Sequence, residues 1–332
     1  MQFRTIQLTL TAACVWGASV AALHAQQATP HSQGEISLAT ANLAALPPVG
    51  AAQPATSQGE MRASGPSIRF QQVAVQAGDR VEQQTAVRLQ LKVQIAQSGQ
   101  IAHESVSDLG REQRRQIEVL EAEGREVRRA RVAFLSSRNQ TPENPQPDQL
   151  MPQAVHGKSY LVKRKGEQLT VTDVEGAIPP MDEYEIVVDA VQHLGKPHPL
   201  AETLLRRPIG VGETLLLPRA TAEQLLGLGE QLGDVRRFAL TLQRVEPGEG
   251  PQASPQAVFV ASIETVANER SPMELSLQGE VVVEIATCRA LEARFQGPVG
   301  MSTTQRTEEG VMQYSAGGEV HVVMENRYAT RF

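Results

Sequence analysis

Val87-Arg88-Leu89-Gln90-Leu91-Lys92-Val93-Gln94-Ile95 alternates apolar and polar side chains from end to end. Successive strand residues point to opposite faces, so this run reads as a β-strand with one face buried and the other wet. Leu275-Ser276-Leu277-Gln278-Gly279-Glu280-Val281-Val282-Val283-Glu284-Ile285 keeps the same period, broken only at Val282. Shorter runs at 68–75, 160–163, 169–174, 238–245, 257–263, 291–295, 311–315 and 319–326 add further strands. Glu308-Glu309-Gly310 and Ala316-Gly317-Gly318 read as short turns, and 247–255 as an exposed hairpin loop, so the C-terminal part is expected to be an antiparallel meander.

Two segments carry a helical period instead. Across 111–135, Ile117, Leu120, Val127 and Phe134 recur at near-helical intervals, with Gly124 on the same stripe, which predicts a long amphipathic helix. Across 180–194, Tyr184, Val187, Val188, Val191 and Leu194 form a second stripe, which Gly195 and Pro197 terminate. A shorter helix is expected over 220–228. The predicted fold class is therefore α+β: a curved antiparallel β-sheet packed against two or three amphipathic helices, occupying 67–332. Inside it, 139–153 is read as a Pro-rich loop or linker, because three prolines fall between Pro142 and Pro147.

The segments before residue 67 differ in kind. Arg4, the apolar run from Ile6 to Leu23 and the ending Leu23-His24-Ala25 match a secretory signal peptide, so 1–25 is read as a leader cleaved near Ala25, and the mature protein as periplasmic or secreted. Retention as an anchor, or lipidation at Cys14, are the competing readings. Residues 26–66 are rich in Ala, Gln, Ser, Thr, Pro and Gly and are expected to form a disordered tether. Removing the leader leaves 30 cationic against 37 acidic side chains, from 31 against 37 in the whole sequence. That acidic balance, with 7 Phe, 4 Tyr and 1 Trp, argues against nucleic acid as a partner. No second run is long and apolar enough for a membrane-spanning helix in the mature chain.

The chemistry-bearing motifs are incomplete. Gly157-Lys158-Ser159-Tyr160-Leu161 lacks the closing glycine of a nucleophile elbow, and His103-Glu104 has Ser107 where a zinc protease needs its second histidine. His193 and His198 flank a helix exit; His156 and His321 stand alone. The glycines of 227–233 follow a helical segment, not the strand that dinucleotide binding requires. Cys288 is expected to be a free, buried thiol. No catalytic, cofactor-binding or metal-ligating residue is assigned.

The arginines of the 111–135 segment are the most distinctive charged feature. Arg114, Arg115, Arg125, Arg128 and Arg129 are the candidate contacts for an anionic lipid head group or an acidic partner. Against this stands the favoured reading of a solvated face, in which interspersed glutamates pair three or four positions away, as Glu121 with Arg125.

Arg207-Pro208-Ile209-Gly210-Val211-Gly212-Glu213-Thr214-Leu215-Leu216-Leu217-Pro218, with the strands that follow, resembles uncharacterised exported bacterial proteins carrying a proline, variable, glycine, acid stretch before a short helix and an antiparallel meander. Their order of elements is similar to the half-barrel envelope carriers of the lipoprotein-carrier type. The resemblance covers about the last half of the chain and implies a curved sheet that wraps helices and can expose an apolar concavity; it supplies no functional residue. The function expected is a non-enzymatic envelope protein whose partner is an apolar small molecule or another envelope protein. A hydrolase of an envelope polymer and a purely structural envelope protein are the alternatives.

Overall fold

The computed structural model describes residues 67–97, 99–140, 150–196, 199–219, 234–248, 254–268, 273–307 and 310–329. In chain order its elements are β1 (Ser67–Ile68), β2 (Arg80–Gln97), β3 (Gln100–Glu123), β4 (Glu126–Asn139), β5 (Met151–Pro152), β6 (Ser159–Lys165), β7 (Gln168–Asp173), α1 (Met181–Val191), α2 (Pro199–Leu205), β8 (Ile209–Gly210) and β9 (Thr214–Leu216). The remaining strands are β10 (Asp234–Glu246), β11 (Gln256–Val266), β12 (Met273–Glu284), β13 (Arg289–Thr307) and β14 (Gly310–Ala329). Twelve strands form one antiparallel sheet in the order β7-β6-β4-β3-β2-β14-β13-β12-β11-β10-β9, with β5 added beside β4, while β1 pairs with β8 separately. The run from β10 to β14 is the expected meander.

The α+β assignment is overturned: strand predominates, and the described residues contain two short helices. The error lies in 111–135, which is not a helix but parts of β3 and β4, joined by a turn at Gly124, whose φ of 63° suits glycine. The three- and seven-residue spacings of Ile117, Leu120, Val127 and Phe134 mimic a helix, yet the period that decides is two. Gln113, Ile117 and Val119 are buried on β3, and Ala130, Val132 and Phe134 on β4. The interleaved charges serve the hairpin across its strands: Arg129 reaches Glu121 at 3.2 Å, Arg128 reaches Glu123 at 2.9 Å and Arg131 reaches Glu118 at 3.5 Å.

Three smaller readings are also corrected. Ala316-Gly317-Gly318 is no turn but the middle of β14, so 311–315 and 319–326 are one strand. Of 68–75, only Ile68 is in a strand; Phe70 instead stacks on Phe259 with centroids 6.1 Å apart. Within 139–153, β5 pairs with the end of β4. The expected helix at 220–228, the glycines of 227–233, the leader with its Cys14, and the tether lie outside the described residues, as do Pro197 and His198.

The predicted second helix is present as α1. It presses Val187 and Val191 against Ala130, Val132, Phe134, Tyr160, Val162 and Val171 of the sheet. Buried Arg164 reaches across from β6 to bond the Gln192 and Leu194 carbonyls, placing a cation where the helix leaves its last acceptors unpaired. A larger cluster joins β2 with β10 to β14 and includes Leu200 and Leu204 of α2, which the sequence reading missed.

Three inward-facing glycines shape the sheet under that cluster. A Cβ at Gly279 would meet the Arg294 carbonyl, one at Gly297 the Ser276 carbonyl, and one at Gly318 the Gln90 carbonyl. Gly279 pairs with Phe295 and Gly297 with Val320, so each glycine stands two residues from the partner of the last. They trace a diagonal crease across β12, β13 and β14. Missing side chains on the inner face let strands coil toward that face.

Candidate functional site

The crease explains how distant strands come to line one space. Val81 and Val87 of β2 and Phe238 and Leu240 of β10 border the same cavity. These strands are five neighbours apart, about 24 Å in a flat sheet at ~4.8 Å per strand, so the sheet curls over on itself. The cavity has a volume of about 440 Å³, and its walls include Ile117, Val119, Val281, Phe295 and Met324 from the sheet with Val191 and Leu194 beside α1. Sites for small molecules typically fall at roughly 300–1,000 Å³ and are largely apolar.

Strand register fixes the order of side chains on the cavity floor. Arg115, Gln83 and Asn326 lie opposite one another on β3, β2 and β14. Two residues along come Gln113, Thr85 and Met324, and two further Arg111, Val87 and Val322. The first of these rows is a band that is polar throughout, and Gln113, Thr85 and Arg111 carry polar side chains into the next two. Arg115 donates from Nε to Gln83 Oε1 at 2.9 Å and from Nη1 to Gln113 Oε1 at 3.2 Å. Gln113 Nε2 donates to Ser137 Oγ at 3.1 Å, and Ser137 Oγ donates to Gln153 Oε1 at 2.7 Å. Each amide is thereby held with its oxygen toward Arg115 or its chain. Burial, followed by the neighbouring Arg111 cation, lowers the Arg115 guanidinium to about 10, still protonated at neutral pH.

At the other end of the band, Asn326 is 7% exposed and donates from Nδ2 to the Ala290 carbonyl at 2.9 Å. Its Oδ1 is buried without a hydrogen-bond partner among the described residues. Tyr328 donates to the same carbonyl at 3.2 Å and lies under Arg289, whose guanidinium is 4.8 Å from the ring centroid. Burial pushes the Tyr328 hydroxyl up to about 12. Arg289 in turn faces Asp79 at 3.6 Å, and Asp79 Oδ2 accepts from the Gln76 amide at 3.0 Å.

The five candidate arginines are divided between the two faces of the sheet. Arg114 points outward, where its Nε meets Glu82 at 2.6 Å; Arg128 and Arg129 make the cross-strand pairs already given, and Arg125 is exposed at the hairpin turn. Arg115 alone of the five lines the cavity. Asn326 and Gln83 escaped the sequence reading. The available signal was phase: both occupy positions where the alternation of their strands puts buried residues.

The other singled-out residues are dispersed. His103 and His321 lie on exposed positions, His156 Nδ1 accepts from the Ser137 amide at 3.2 Å, and His193, also exposed, borders the cavity, with desolvation lowering its pKa. Among the described residues no group of three His, Cys, Asp or Glu side chains could hold a metal ion. Cys288 is buried, and desolvation pushes its thiol up to about 12. In the Pro208 to Pro218 stretch, Glu213 closes a turn by accepting from the Gly210 amide at 2.9 Å while pairing with Arg207. No helix among the described residues is long and apolar enough to cross a membrane.

No family model matches the sequence, and no curated protein matches it. Among solved structures, lipovitellin, described for its lipid–protein interactions, is similar at 9% identity and a TM-score of 0.35, over 77% of this chain and 26% of its own. The chain thus spans about a quarter of that protein. Pseudomonas aeruginosa OpdQ is similar at 7% identity and a TM-score of 0.18, over 76% of this chain and 98% of its own. The P. putida toluene transporter TodX is similar at 7% identity and a TM-score of 0.17, over 78% and 92%.

Proposed function

We propose that this chain is a non-enzymatic, exported envelope protein that binds an apolar ligand in the cavity beneath the curled sheet. The observation that carries the reading is the cavity itself: about 440 Å³, with Val, Leu, Ile, Phe and Met side chains lining much of it alongside charged and polar ones, drawn largely from strands that only a curled sheet brings together. An apolar space of that size gains by exchanging water for hydrocarbon. Two acidic side chains border it: Asp79, engaged by Arg289 and the Gln76 amide, and Asp189 of α1. Export supports the reading through the leader-like residues 1–25, and an envelope setting supplies apolar cargo.

The test is occupancy. The neutral fluorophore N-phenyl-1-naphthylamine is expected to bind the purified protein with one site and a blue-shifted, enhanced emission. Thr85→Trp places bulk at the centre of the floor and is expected to weaken that binding at least tenfold while the melting temperature stays within a few degrees. Native mass spectrometry with organic extraction of protein isolated from an envelope is expected to reveal a co-purifying apolar molecule. Absence of probe binding to the wild-type protein would refute the reading.

A further inference from the structure

From the polar band on the cavity floor we infer that the ligand is an amphiphile whose head group combines an anion with a hydroxyl or N–H donor, the anion resting on Arg115 and the donor on Asn326. This deepens the proposed function and rests on it.

Two independent features point to the same head group. Arg115 is a cation turned into the cavity, where its hydrogen-bond partners Gln83 and Gln113 are neutral amides. Among the described residues no carboxylate lies within ion-pair distance of it; Arg111, two inward positions along β3, and Asp189 of α1 border the same cavity. A half-buried guanidinium whose partners are neutral favours an arriving anion, and its planar fork suits a carboxylate or phosphate. Asn326 supplies the complementary requirement. Its Nδ2 is fixed on the Ala290 carbonyl, so the amide cannot be reversed without setting two oxygens against each other, and the buried Oδ1 is left needing a donor. Gln83 stands between the two on β2, which sets the anion and donor subsites about two strand spacings apart at the backbone, with the long Arg115 side chain already reaching over Gln83. A fatty acid offers only the anion, a monoacylglycerol only donors, and an acylglycerol phosphate offers both.

The experiment displaces N-phenyl-1-naphthylamine from the full-length mature protein with three ligands of one acyl chain: oleate, 1-oleoylglycerol and 1-oleoylglycerol 3-phosphate. The phosphate is expected to compete best, oleate next, and the uncharged glyceride at least about tenfold more weakly than the phosphate. Arg115→Gln is expected to bring the three to within about threefold of one another, Arg115→Lys to keep part of the preference, and Asn326→Leu to reduce the phosphate to the level of oleate. Thermal melts and retained probe binding confirm that each variant is folded. Equal competition by all three ligands against bound probe would overturn the head-group inference and leave the apolar cavity standing. Failure of the probe to bind would remove the cavity reading and this inference together. Oleate equal to the phosphate in the wild-type protein would overturn the role given to Asn326.

Discussion

Replacing Gly318 by valine is expected to destabilise the protein by at least about 3 kcal/mol, read as a large fall in the urea midpoint, whereas Gly317→Val is expected to be close to neutral. The two glycines are neighbours in β14 and face opposite sides of the sheet. A Cβ at Gly317 meets nothing within 4 Å, but one at Gly318 would enter the Gln90 carbonyl of β2. Any side chain there forces β2 and β14 apart at the point where the sheet coils, and overpacking of backbone has no rotamer by which to escape. In a turn formed by both glycines the two substitutions would cost alike. An equal loss at both positions would therefore contradict the crease.

A second large effect is expected at Glu183, which is nearly buried on α1 and accepts from Lys158 Nζ at 2.7 Å and from the Tyr160 hydroxyl at 2.6 Å. Glu183→Ala leaves the buried phenol without its acceptor and detaches α1 from β6. We expect a loss of about 2–4 kcal/mol at neutral pH, reported by chemical denaturation. The hydrogen bond from Lys158, and then that from Tyr160, hold the Glu183 carboxyl below its ordinary range in the folded state. Its contribution is thus present above the unfolded value of about 4.3 and fades as pH falls through the lower folded value, so wild type and variant should converge in acid. Tyr160 acts with the opposite sign. Burial, then Glu183, raises its pKa, so stability should decline once the pH exceeds about 10, where the unfolded phenol ionises first.

The strands were legible wherever side chains alternate without interruption. Val87 to Ile95 and Leu275 to Glu284 both fall in observed strands, and α1 follows from its own apolar stripe. The hairpin of β3 and β4 was hidden for a physical reason. Its strands carry bulges near Glu121, so the apolar residues drift out of strict alternation into spacings that a helix also satisfies. Glycine misled in the same region of inference: at Gly124 it marks a turn, at Gly318 a close approach of backbones, and the one-letter sequence is the same for both. The candidate site was less legible still. Arg115 was singled out among five arginines by charge, but what separates it is the face it occupies, and its companions Gln83 and Asn326 become neighbours only through pairing between strands distant in the chain.

That pairing also governs time. The strand β14 runs antiparallel to β2 over the full length from Arg80 to Gln97, and among the described residues it comes after the other thirteen strands in chain order. The cluster of β3, β4, β6, β7 and α1 joins residues relatively near in sequence and can assemble while the chain is still being extended. Its counterpart cannot close until β14 arrives, because β2 belongs to that second cluster and reaches β13 only through β14. Folding should therefore be slow to complete, with loop closure between the two ends of the described chain as its late step, and until then β2 presents an unsatisfied edge to whatever holds the nascent polypeptide.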